Sequence, residues 1–89
     1  MITKTITIIN KLGLHARAAA KFVATSSKFT SELTVIKNNQ QVNGKSIMGV
    51  MMLAASNGTA LELKAEGEDE QALIEAIEQL ILNKFDENE

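Results

Sequence analysis

Apolar residues along this chain switch repeatedly between period two and helical spacing. That alternation restricts the chain to a mixed α and β architecture. From Ile2 to Ile9, Ile2, Ile6 and Ile8 alternate with Thr3, Thr5 and Thr7, as expected of a half-buried strand of β-branched residues. Lys4 interrupts the apolar face near its end, where a long side chain reaches water. Ala16 to Ser27 is alanine-rich and carries Ala19, Phe22 and Val23 at helical spacing. Leu33 and Val35 then share one face of an extended segment from Glu32 to Lys37, and Gln40 to Asn43 forms another. Asn38-Asn39 between them predicts a tight hairpin turn, because Asn tolerates positive φ. Ile47 to Leu53 reads as a short helix with Ser46 as its N-cap. In Ala60 to Gly67, Leu61, Leu63 and Ala65 alternate with Glu62, Lys64 and Glu66, giving a strand with one wet face. The last helix opens on Glu68-Asp69-Glu70 and continues its core stripe through Leu73, Ile77, Leu80 and Lys84, widened by Ala76 and Ile81. The order β-α-β-β-α-β-α predicts an α+β two-layer sandwich. The acidic tail from Asp86 to Glu89 is expected to fray and to act as a solvating end.

At 89 residues the expectation is one domain, spanning 1–89, so any function has to sit on the surface of a single small core. The net charge of -2 gives no bulk attraction to nucleic acid or to an anionic membrane. Phe22, Phe29 and Phe85 are too few aromatics for a base-stacking platform. The lack of cysteine removes disulfides, thiolate metal sites and thiol nucleophiles, and fits a reducing compartment. No leader-like or membrane-spanning apolar run occurs, which makes the cytoplasm the expected location. Proline is also missing, so Gly, Asn, Asp and Ser must set the turns and helix starts. No cofactor or metal is called for.

His15, the only histidine, follows the loop Asn10-Lys11-Leu12-Gly13 and stands where the first helix opens. The first-turn N–H groups of a helix lack intrahelical partners and form an anion site reinforced by the dipole. Here they are the backbone amides of Ala16, Arg17 and Ala18. Arg17 adds a planar donor fork suited to phosphate oxygens. The same dipole disfavours the imidazolium, leaving the neutral ring that a nucleophile requires. These parts would let His15 attack a phosphoryl group and hold it. A second explanation is as economical: a loop histidine that caps the helix by hydrogen bonding, beside a solvated Arg17. Spacing does not decide between them.

Gly44-Lys45-Ser46 ends like a phosphate-binding P-loop, but Asn39 stands where the first glycine of that pattern belongs, and the domain is too short for a nucleotide fold. Capping explains Ser46 by itself. Ile47, Met48 and Met51 make the following helix more apolar than one core-facing side needs, and methionine suits surfaces that meet several partners. Lys21, Lys28 and Lys45 are candidates for a basic rim, although scattered lysines commonly serve solubility alone.

Gly13-Leu14-His15-Ala16-Arg17-Ala18-Ala19 together with Lys45-Ser46-Ile47-Met48-Gly49-Val50-Met51 resembles the HPr phosphocarriers of the bacterial phosphoenolpyruvate-dependent phosphotransferase system. The likeness spans essentially the whole chain. It implies an open-faced sandwich, with three helices on one face of a four-stranded antiparallel sheet. It also implies that His15 takes a phosphoryl group on Nδ1 from phosphorylated enzyme I, assisted by Arg17, and passes it to an EIIA domain. Further implications are phosphorylation of Ser46 by an ATP-dependent HPr kinase/phosphorylase and an apolar docking patch at Ile47, Met48 and Met51. The chain would then be a monomeric carrier rather than an enzyme, serving sugar uptake or a regulatory branch. One departure is Ala18, where the family usually has proline; the change is expected to tune His15 rather than abolish it. Two rival functions are a self-contained enzyme with His15 as general base, and an interaction module of the same shape that binds proteins without phosphoryl transfer.

Overall fold

Four antiparallel strands form one sheet in the order β1-β4-β2-β3 in the computed structural model, which describes residues 1–87. The strands are β1 (Ile2–Thr7), β2 (Glu32–Lys37), β3 (Gln40–Asn43) and β4 (Ala60–Glu66). The helices are α1 (Ala16–Ser26), α2 (Ile47–Met52) and α3 (Glu70–Leu82), followed by a terminal 3-10 turn, Lys84–Asp86. The observed order and the open-faced sandwich agree with the sequence reading.

Register follows from which residues must leave water. Ile6 stands opposite Leu61, and Val35 opposite Leu63, so the alternate residues of the central strands share one apolar face. Across that face lie Ala18, Ala19 and Phe22 of α1 and Leu73, Ile74, Ile77 and Ile81 of α3, all buried. Asn38 and Asn39 adopt φ of 49° and 70°, and the strands pair up to Lys37↔Gln40, as in a two-residue hairpin of the kind the sequence predicts. Ser46 caps α2, its hydroxyl accepting the Gly49 N–H at 3.1 Å.

Element ends differ from expectation in instructive ways. β1 stops at Thr7, yet Ile8 stays buried and exchanges backbone hydrogen bonds with the Gly58–Thr59 turn. α3 ends at Leu82, so Lys84 does not continue the core stripe; the chain turns left-handed and buries Phe85 in its place. The expected frayed tail is instead folded back through Asp86 and Glu87, because the Phe85 side chain and two polar anchors hold it. Asn88 and Glu89 lie outside the described residues.

Glu70 stands in the first turn of α3 as expected, but Asp69 acts differently from a simple dipole partner. Asp69 makes no cap within its own helix. Its carboxylate takes the Thr30 and Ser31 N–H groups at 2.9 Å each, and the Ser31 hydroxyl, so it clamps the α1–β2 loop to α3. The Ser31 hydroxyl and the Thr30 amide hold the Asp69 carboxyl down to about 2, from an ordinary 3.8. The unfolded chain therefore binds this proton more readily than the folded one. The clamp contributes fully above 3.8 and fades as pH falls toward about 2. Asp69→Asn is expected to lower stability at neutral pH and to flatten the stability profile between 3.8 and about 2, read by denaturant titration at several pH values. A profile identical to the parent's over that window contradicts the clamp.

Candidate functional site

The loop that presents His15 is shaped by close backbone contact. Gly13 has φ of +68°, and a Cβ there would fall 2.5 Å from the Ala55 carbonyl oxygen, so only glycine fits. The next residue, Leu14, donates its N–H to that same oxygen at 2.8 Å and buries its side chain. The loop is thus sewn to the segment after α2, and the chain arrives at α1 in a fixed direction.

His15 is the N-cap residue of α1, with extended φ and ψ of -72° and 178°. Its carbonyl accepts the Ala19 N–H at 2.8 Å, the first intrahelical bond. The amides of Ala16, Arg17 and Ala18 come before that bond and have no acceptor inside the helix, as the sequence reading expects. The ring itself makes no capping bond. Instead its Nε2 meets the Glu87 carboxylate. The capping explanation for His15 therefore fails, and the anion site at the mouth of α1 is left open. Ala18 is buried in the first turn, and a proline at this position would remove only an N–H without an intrahelical acceptor.

An open cleft of about 670 Å³ adjoins the ring, lined by Leu12, His15, Ala16, Arg17, Lys21, Asp86 and Glu87. Arg17 and Lys21 are one turn apart on α1 and put two positive charges on this cleft. Arg17 is exposed and makes no hydrogen bond or ion pair with a described residue, so its donor fork is available. Lys21 is partly committed, donating to the Phe85 carbonyl at 2.8 Å and lying 3.9 Å from Asp86. Of the other candidate rim lysines, Lys45 donates to the Phe29 carbonyl at 2.6 Å and is structural, while Lys28 is exposed.

The structure adds three residues that the sequence reading missed. Glu87 bonds His15 through one carboxylate oxygen and the side-chain amide of Asn10 through the other, at 3.0 Å. Asn10 is fully buried and also donates to the Gly13 carbonyl at 2.9 Å, which links the His15 loop to the chain end. Asn10 first, then His15, holds the Glu87 carboxyl below the usual carboxylate range. Phe85 is the third, since its burial fixes the turn that delivers Glu87. The lone cue in the sequence is an aromatic residue just past the last helical stripe; nothing local pairs residues 72 positions apart.

The second candidate cluster lies on α2, which packs beside α1. Ile47, Met48 and Met51 are 44%, 69% and 38% exposed, while Val50 faces the core. Met52 and Leu12 are also exposed apolar side chains. Ser46 is half-buried at the start of that helix.

Comparison with known proteins matches these features. A family model described as the PTS HPr component phosphorylation site matches residues 2–83. Phosphocarrier protein HPr of Neisseria meningitidis serogroup B is 55% identical over 89 residues, covering 100% of both chains. Among solved structures, HPr-C-His from Thermoanaerobacter tengcongensis superposes with a TM-score of 0.96 at 53% identity, covering 100% of each chain. An HPr dimer from the same organism gives a TM-score of 0.79 at 54% identity, covering 98% of this chain and 100% of that one.

The Gly13 contact can be tested directly. Gly13→Ala forces a side chain into the left-handed region and against the Ala55 carbonyl, so it is expected to cost about 1–2 kcal/mol or more of stability in equilibrium denaturation. An unchanged unfolding midpoint contradicts the account of the loop.

Proposed function

The chain belongs to the HPr family of phosphotransferase-system phosphocarriers, and on that premise we propose that His15 is its phosphoryl acceptor and donor. The observation that carries the proposal is the placement of the ring at a helix mouth that its side chain does not cap, beside an Arg17 that pairs with no described residue. A phosphoryl group attached to His15 would meet the Ala16, Arg17 and Ala18 amides and the Arg17 guanidinium, donors suited to its oxygens. The donor protein is enzyme I in its phosphorylated form and the acceptor an EIIA domain. The chain is a carrier forming a phosphohistidine intermediate rather than an enzyme, and it works as a monomer in the cytoplasm. The cleft beside His15 is open to solvent, which suits a group handed between large proteins better than a substrate held for chemistry.

Ile47, Met48 and Met51 form the docking patch for both partners in this proposal, since α2 presents them on the helix adjoining α1. Met side chains adapt to differently shaped partners with little loss. Ser46 is the regulatory position. Its hydroxyl caps α2, so an HPr kinase/phosphorylase acting there would replace a cap with a group of charge about -2 at the edge of the apolar patch. That charge would oppose docking of acidic partner surfaces.

Incubation with phosphoenolpyruvate and enzyme I is expected to place one acid-labile phosphoryl group on the protein and none on His15→Ala. An acid-stable label, or a label that persists in His15→Ala, overturns His15 as the acceptor, and no label at all favours a module that only binds. With ATP and an HPr kinase, an acid-stable label is expected on the parent and not on Ser46→Ala; a label retained in that variant assigns the regulatory site elsewhere.

A further inference from the structure

Three consecutive residues, Lys84, Phe85 and Asp86, hold φ of 55°, 54° and 63°. A left-handed run of non-glycine residues costs about 1–2 kcal/mol per residue, most of all at a bulky ring. Such strain persists only where the surroundings over-determine it. Here they do: Phe85 is wholly buried, its carbonyl accepts the Lys21 ammonium, and the Glu87 carboxylate that follows is caught between Asn10 and His15. Residues serving solubility alone have no need of this arrangement.

We propose, resting on the reading of His15 as phosphoryl acceptor, that Glu87 is a positioning residue of the transfer site. Its carboxylate takes the Nε2–H of His15, keeps Nδ1 as the unprotonated ring nitrogen, and offsets the charge that the ring gains on attack. A neutral imidazole carries one ring proton, and the hydrogen bond at one nitrogen decides which nitrogen holds it. Glu87 is ionised over the neutral range, held below the ordinary carboxylate range by Asn10 and by His15, and an ionised carboxylate only accepts. The proton therefore sits on Nε2. Nδ1 presents its lone pair on the other side of the ring, directed away from the carboxylate.

The transfer balances as follows. The Nδ1 lone pair forms a bond to phosphorus while the bond from phosphorus to the donor breaks, its electron pair staying with the donor. No proton leaves His15, so the ring becomes a phosphoimidazolium, one positive charge richer than before. Glu87 lies against that charge at Nε2. In the onward step the Nδ1–phosphorus pair returns to Nδ1 and the charge disappears. A carboxylate that fixes the tautomer and stabilises the transient imidazolium plays the same part beside a catalytic histidine in hydrolase triads.

Glu87→Gln and Glu87→Ala, with thermal melts to establish folding, test the proposal. Glu87 serves two donors with two acceptor oxygens, whereas the Gln amide offers one oxygen and turns an NH2 group toward Asn10 or His15. Nitrogen-15 NMR of the neutral imidazole is expected to show the Nε2–H tautomer in the parent and a new Nδ1–H population in the variants. Loss of a hydrogen bond to a charged group corresponds to a slowing of phosphorylation by enzyme I of about tenfold or more in each. Glu87→Gln should be at least as slow as Glu87→Ala, an order that a packing role does not produce. Parent-like rates in both variants, or an unchanged tautomer in both, overturn the role of Glu87 while leaving the carrier reading intact. A parent protein that takes no phosphoryl group from enzyme I overturns the carrier reading and this proposal together.

Discussion

The burial of Phe85 closes the molecule at the end that carries His15. The ring leaves water completely, a gain of roughly 1.5–3 kcal/mol for a side chain of its size, and it does so from a backbone conformation that disfavours it. Its neighbours distribute that cost: Lys21 of α1 ties down the carbonyl, and Asp86 and Glu87 emerge on the α1 side of the fold. Without this anchor the His15 ring would have only its own loop to orient it. With it, the Glu87 carboxylate reaches both the imidazole and Asn10 of the loop that precedes it.

The sheet and the loop at Gly13 supply the rest of the geometry. Antiparallel pairing with a single apolar face leaves α1 and α3 side by side over the core, and the Leu14–Ala55 hydrogen bond sets where α1 begins. Because His15 spends its ring on a distant carboxylate instead of its own helix, the amides at the helix mouth stay available. In most helices an N-cap side chain satisfies one of those groups. Forgoing that bond weakens the helix start slightly and leaves an anion site in its place.

Local pattern in the sequence was enough for most of the fold. Alternation fixed β1 and β4, the Asn38-Asn39 pair fixed the hairpin, and Ser46 fixed the start of α2, since each rests on neighbours a few residues apart. The His15 and Arg17 pair was visible for the same reason. Three features were not. Asp69 reads as a dipole partner but acts across a loop 38 residues away, Lys84 fits a helical stripe that has already ended, and Glu87 reads as a solvated tail. Each depends on contacts between segments far apart in the chain, which period and propensity do not encode. The identity of the ring's partner therefore came from the fold alone.

The distance along the chain between His15 and Glu87 also orders events in time. During synthesis the histidine and its helix emerge early, but the carboxylate that holds the ring lies 72 residues later, beyond the last helix. Contacts of such long sequence separation form late, after the intervening loops have been closed. A nascent or truncated chain can thus carry the loop, the helix mouth and Arg17 with the imidazole still unconstrained. Within this fold the imidazole gains its carboxylate partner only when the turn at Lys84–Asp86 is docked.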